Sequence, residues 1–277
     1  MKKFCFLSLA TWLLIPAMIA SGEPRKVLKV GVQMFGKVFD PAAQYNNASA
    51  QYHINLHDGL VRLSTMEVPH KVLPAIATSW KEISPTITEF KLRQGAKFWD
   101  GTLITAEDVK WSLERSINQD HPAYTSAFGR VLYNFEKVEI VDSSTVRVHN
   151  RRPDPLKYVM LAQTTSAILS KKAFDKAASP EDFFRDPIGS GPYRIADFKQ
   201  DQYVKFESWD NYWGEKPPLE ELWYYAIPEA TSRITALVNG EVDMIVDIPP
   251  DLKSALDGKE GIKSQGCLLY TSPSPRD

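Results

Sequence analysis

The sequence predicts an α/β fold, and three stretches carry that prediction. Leu222 to Ile227 is an apolar strand candidate, Glu229 to Asn239 presents Ile234, Leu237 and Val238 at helical spacing, and Val242 to Val246 is a second apolar strand. A strand, helix and strand of these lengths imply a right-handed crossover between parallel neighbours. Val27 to Gln33, VLKVGVQ, alternates as an opening strand, and Phe90 to Ile117 joins a strand, a tight turn and an amphipathic helix.

Taken in order, Phe39-Asp40-Pro41 ends the opening strand, and Asn46 to Gly59 reads as a helix running into Leu60 to Leu63. Glu89 to Arg93 places Phe90 and Leu92 on one face, the period of a half-buried strand. Asp100-Gly101 is a turn dipeptide, because Gly accepts the positive φ such turns need and Asp tolerates it. Thr105 is placed to cap a helix through the backbone N–H of Asp108, with Asp108 answering in a capping box. Ala106, Val109, Leu113 and Ile117 then form one apolar face.

Val138 to Val148 contains two alternating runs joined by Asp142-Ser143-Ser144, a hairpin signal. Gly189-Ser190-Gly191-Pro192-Tyr193 starts a second hairpin that returns through Tyr203 to Phe206. Gly240 stops the helix that begins near Glu229.

Composition adds bounds. The 277 residues are 43% hydrophobic and 24% charged, ordinary for one or two globular domains, and a formal charge of -1 favours neither a nucleic-acid nor an acidic-surface partner. Met1 to Gly22 reads as an export signal: Lys2 and Lys3, an apolar run from Phe4 to Ile19, then the small residues Ala20-Ser21-Gly22. Cys5 sits inside the apolar run and not at a cleavage site, which argues against a lipid anchor. Cys267 belongs to the tail GCLLYTSPSPRD, which departs abruptly from the preceding sequence and resembles an in-frame sequencing-adaptor read-through. Without signal and tail, the chain is expected to be cysteine-free and stable in an oxidising compartment with no disulfide.

LRQGAKFWDGTLITAEDVKWSLER resembles the most recognisable segment of the family 5 extracellular solute-binding proteins, which serve peptide and nickel ABC importers. The likeness extends, in family order, to the Asp40-Pro41 stop followed by Gly59-Leu60-Val61, to Leu73 through Trp80, and to Asn211 through Leu219, NYWGEKPPL. It implies a periplasmic-binding-protein-like first lobe, a mixed sheet with helices, carrying a small inserted α+β subdomain. The family is about twice this length and folds as two lobes hinged about a cleft, so the second lobe is expected to be absent. The implied division is 1–22 signal, 23–45 first part of lobe I, 46–185 inserted subdomain and return, 186–265 second part of lobe I, and 266–277 non-native tail.

The resemblance also nominates ligand-binding residues. Tyr45, Asn46 and Asn47 occupy the loop that family members place against a peptide backbone, and Asn amides both donate and accept, although Asn equally caps helices. Tyr124 aligns with a cleft tyrosine, or packs within the subdomain. Val246, Asp247 and Ile248 follow Gly-Glu-Val-Asp at the end of a parallel strand, where open α/β sheets bind ligands. Asp247 would pair with a ligand amine or cation, or remain a solvated loop carboxylate, whereas Asp243 reads as structural.

Catalytic signals are thin. His53 and His57 have metal-ligand spacing on one helix face but lack the Glu of HExxH and a nearby third ligand, so they read as surface or packing residues. Gly189-Ser190-Gly191 lacks the strand, turn and helix context of a nucleophile elbow. The expected function is non-catalytic: capture of di- or oligopeptides in the periplasm for ABC permease subunits, by a monomer with no cofactor, no metal and no membrane span. A nickel- or metallophore-binding relative and a secreted hydrolase are the alternatives.

Overall fold

The computed structural model describes residues 26–36, 38–42, 47–64, 69–115, 117–124 and 132–264, without the side chains of 47–51. The expected export signal, Tyr45, Asn46 and the tail from Gly266 lie outside the described residues.

β1 (Val27–Val32) is the strand on which the larger sheet is built. It runs parallel to β10 (Glu221–Ala226) on one side and to β11 (Met244–Ile245) on the other. β9 (Tyr203–Ser208) and β8 (Tyr193–Lys199) then add antiparallel strands, giving the order β11-β1-β10-β9-β8. Alternation sends Val30, Val32, Val204, Phe206, Leu222 and Tyr224 to one face, where they bury against Phe39 and against Tyr52 and Leu56 of α1 (Asn47–Leu56). On the other side Ile234 and Ala236 of α6 (Ala230–Val238) pack with Val242 and Ile245. Gly240, at φ 73, ends α6 as the sequence predicts.

Two expectations about this unit need correction. The strands flanking α6 run parallel but are not neighbours, because β1 lies between them and hydrogen-bonds to both. The second of them is also shorter than Val242 to Val246. As an edge strand it pairs with β1 alone, and Asp243 leaves the ladder to bond Lys29: its N–H donates to the Lys29 carbonyl and its Oδ2 accepts from the Lys29 N–H at 2.8 Å.

The intervening chain forms a second unit. β4 (Ala77–Ser84), β5 (Ile87–Leu92), β7 (Thr145–Asn150) and β6 (Phe135–Asp142) make an antiparallel sheet in the order β4-β5-β7-β6. β2 (Val61–Leu63) and β3 (Val72–Pro74) form a short ribbon beside it. Phe90, Leu92, Val138, Val146 and Val148 meet Ala106, Val109 and Leu113 of α2 (Ala106–Glu114), with Ile117 packed against this core. The capping box forms as predicted: Asp108 N–H donates to Thr105 Oγ1 at 3.2 Å, and Thr105 N–H donates to Asp108 Oδ2 at 2.9 Å. The opposite face of the sheet carries charge, with Arg147 bridging Glu89 and Glu139. Three short helices, α3 (Lys157–Leu161), α4 (Lys171–Lys176) and α5 (Pro180–Arg185), lead back to β8.

Candidate functional site

Three main-chain segments meet at the carboxyl ends of the parallel strands. Val246 to Ile248 leaves β11, Ile227-Pro228 leaves β10, and residues 33 to 36 leave β1, with 38 to 42 beyond them. The Ile227 N–H donates to the Val32 carbonyl at 2.8 Å, joining the first turns beyond β10 and β1. Arg233, in the first half of α6, joins the other pair. Its Nη1 donates to the carbonyls of Ile227 (2.7 Å) and Pro228 (2.8 Å), and its Nη2 donates to the carbonyl of Asp247 (2.9 Å). Val246 and Ile248 are half-buried, while Asp247 is exposed and holds φ at 55, in the left-handed region.

A second arginine organises the segment after β1. Arg115, at the carboxyl end of α2, donates from Nη2 to both carboxylate oxygens of Asp40 and from Nε to the Ala123 carbonyl at 3.1 Å. Tyr124 follows directly and is half-buried, its N–H donating to the His121 carbonyl at 2.9 Å. The loop beyond β1 and the segment bearing Tyr124 are thus tied through one buried side chain. Asn47 begins α1, its side chain not described, and Tyr45 and Asn46 fall outside the described residues. Among the described residues, Tyr124 makes no side-chain hydrogen bond to Asp247 or its neighbours.

Sequence reasoning missed both arginines, and it missed Asp58. The Asp58 carboxylate accepts from Tyr212 Oη at 3.1 Å and from Trp213 Nε1 at 2.8 Å, and its N–H donates to Ser190 Oγ at 3.1 Å. Arg93 stacks on the Trp213 ring, 4.2 Å from its centre. The residue keeps a partly exposed surface, but its carboxyl is enclosed, and burial pushes its pKa up to about 7 against the opposing pull of those donors and of Arg62 and Arg93. The phrase Asn211-Tyr212-Trp213-Gly214 thereby gains a physical role, since two of its side chains hold the end of α1. No local signal marked Asp58, which lies inside the span Asn46 to Gly59 that the sequence reads as helix.

His53 and His57 are packing residues, 1% and 5% exposed. Their rings stack at 5.9 Å, and His57 stacks on Trp99 at 6.2 Å. Burial drives the His53 pKa well below the usual range and that of His57 to about 3, so both are neutral at ordinary pH. Among the described residues no cluster of three His, Cys, Asp or Glu side chains could hold a metal ion. Ser190 is fully enclosed and accepts from the Asp58 N–H, so it is not placed as a nucleophile. A concavity of about 420 Å³ lies between Thr105 and Lys176, lined by Asp108, Ser170 and Lys171. It shares no residue with the loops at the strand ends, and on its rim Lys171 pairs with Asp175.

The profile of "Bacterial extracellular solute-binding proteins, family 5 Middle" matches residues 71–276. A dipeptide-binding protein of Escherichia coli K12 is 31% identical over 195 residues, covering 63% of this chain and 36% of that protein. Heme-binding protein A of Haemophilus influenzae is 30% identical over 191 residues, covering 62% of this chain and 35% of its own length. The periplasmic binding protein DppA of Helicobacter pylori, solved with the peptide STSA, superposes with a TM-score of 0.75 at 24% identity, covering 84% of this chain and 49% of that one. That likeness concerns the fold: a mixed α/β lobe of the periplasmic binding protein type. The chain therefore spans between about a third and a half of the length of the relatives it matches. On the matched profile, which covers well over half of its residues, this chain belongs to the bacterial extracellular solute-binding proteins of family 5.

Proposed function

We propose that this chain forms the ligand-facing first lobe of an exported, non-catalytic solute-binding protein of an ABC importer, and that its solute is a di- or oligopeptide. The observation that carries the reading is the gathering of loops from β1, β10 and β11 at one edge, held by Arg233 and Arg115. Such an edge is where open α/β sheets take ligands, and its main-chain groups suit the alternating donors and acceptors of an extended peptide. Tyr45, Asn46, Asn47, Tyr124, Val246, Asp247 and Ile248 are the proposed contacts. In a protein of its relatives' length, ligand held between two lobes would shift the population toward a closed form that the permease subunits recognise. Periplasmic location and a monomeric state complete the proposal; no helix among the described residues is long and apolar enough to cross a membrane.

The dipeptide-binding relative supports a peptide, and the heme-binding relative, almost equally similar, supports the broader reading of another solute on the same lobe. Isothermal titration of the protein at its relatives' length against di- to pentapeptides, hemin and a nickel chelate separates the two. Saturable binding of peptides alone is expected. Binding of hemin or the chelate with no peptide binding overturns the peptide assignment.

A further inference from the structure

The chain passes between its two units twice, and both crossings meet at Asp58. Outward it leaves α1 through Asp58-Gly59 to reach β2, and it returns through Gly189-Ser190-Gly191 to β8. The Ser190 and Gly191 N–H groups both donate to the Leu56 carbonyl, at 3.2 and 3.0 Å, and the Asp58 N–H donates to Ser190 Oγ. The Asp58 carbonyl accepts from the Ile168 N–H of the second unit at 2.8 Å, while its carboxylate accepts from Tyr212 and Trp213 in the loop between β9 and β10. Trp213 packs in turn against the core of the second unit, beneath Arg93. One residue therefore ties both crossings, and a loop of the larger unit, to the second unit.

The carboxyl at this junction is poorly provided for as an anion. A carboxylate offers about four acceptor sites, and here two neutral side-chain donors meet it. Arg62 of β2 and Arg93 beyond β5 act on it from the second unit, but among the described residues neither forms an ion pair with it. The titratable groups beside it bring no positive charge: His57, the preceding residue, is neutral, and burial and Asp58 itself hold the Tyr212 phenol protonated. Enclosing an anion with so few partners costs more than enclosing the neutral acid. Burial accordingly pushes the Asp58 pKa up to about 7. The residue is itself partly exposed, so a small movement of the crossing admits water.

We propose that Asp58 is a proton-operated catch at the junction of the two units: protonated, it keeps the crossings closed around Tyr212 and Trp213, and ionised, it favours an opened junction in which water reaches the carboxylate. The direction follows from linkage. In the closed junction the carboxyl holds its proton up to about 7, whereas once hydrated it ionises near the ordinary 3.8. Closure is therefore fully favoured below the lower value, weakens as pH rises between the two, and changes no further above the upper one. The device is independent of which solute the protein carries.

Amide hydrogen exchange tests the catch at Asp58, Ile168, Ser190 and Gly191, whose N–H groups make the junction bonds. After correction for intrinsic exchange, their opening should increase about tenfold or more from about pH 5 to about pH 8, with the amides of β5 and β7 unchanged. Asp58→Asn cannot ionise, yet its amide oxygen can still accept from Trp213 while its nitrogen donates to Tyr212 Oη. In that variant the same amides should stay as protected at the upper pH as at the lower. Opening that does not increase with pH in the unmodified protein, or that increases equally in Asp58→Asn, overturns the proposal. Should Asp58→Asn not fold, the unmodified protein decides alone. Junction opening should level off at the pH where the Asp58 carboxyl carbon titrates, and a plateau more than about one pH unit away overturns the catch.

Discussion

Arg115 closes a fork on Asp40: Nη2 lies 2.8 Å from Oδ1 and 2.6 Å from Oδ2, with the two side chains only 2% and 5% exposed. The guanidinium also lies over the Phe184 ring at 4.7 Å and bonds the Ala123 carbonyl, so neither charge is left to water or to an apolar wall alone. A buried pair of this kind does less for stability than its geometry suggests, but removing one partner strands the other.

Arg115→Met is therefore expected to cost about 3–5 kcal/mol of unfolding free energy, read from the denaturant midpoint. Adding Asp40→Leu to it should restore a large part of the loss, because the stranded charge is gone. A double variant no more stable than the single one would show that the pair does not act as a unit.

The buried histidines set the acid side of stability. Their folded pKa values lie below the ordinary 6.5, so the unfolded chain binds protons that the folded chain refuses. The stability they contribute is complete above that value and is lost as pH falls toward about 3 for His57. Each should contribute a slope on the order of 1.4 kcal/mol per pH unit in that window. Unfolding measured from about pH 7 to about pH 4 should flatten in His57→Phe, and an unaltered slope would contradict neutral burial.

Asp58 acts with the opposite sign. Its folded pKa of about 7 exceeds the ordinary 3.8, so its contribution is present below the lower value and is lost as pH rises through the upper one. Trp213→Phe removes a donor to the ionised form and should move the titration, followed by the carboxyl carbon resonance, above 7. A midpoint that falls or stays fixed would show that the indole N–H does not favour the carboxylate.

The Gly-Ser-Gly turn is a packing junction. A Cβ on Gly189 would come within 2.6 Å of the Trp99 ring and run into the Leu56 carbonyl, and one on Gly191 would meet the main chain at Asn55 and Leu56. Neither position has a positive φ, so close approach is the whole requirement. Gly191→Ala should lower stability by about 1–3 kcal/mol or more in thermal unfolding. An unchanged melting temperature would mean the junction is loose.

The elements were largely legible because their signals are local. Alternation in Phe90 and Leu92, the Thr105 and Asp108 box, the Asp142 hairpin and the Gly240 stop each depend on residues a few positions apart. The candidate loops were nominated by family likeness, with Val246 to Ile248 also nominated by lying at a strand end, whereas Arg115, Arg233 and Asp58 were not nominated, since an arginine or aspartate in a helix or at its end carries no mark of the carbonyl or ring it will meet.

By itself, then, the sequence determined which segments become strands and helices and which faces they bury, as these follow from side-chain periodicity and capping within one or two turns of chain. Only the tertiary structure decided that β1 enters between β10 and β11, that Asp40 meets Arg115, and that Arg233 reaches Asp247. Those pairings join residues far apart in sequence, and their partners are selected by the shape of the assembled core and by the cost of leaving a buried charge or carbonyl unpaired.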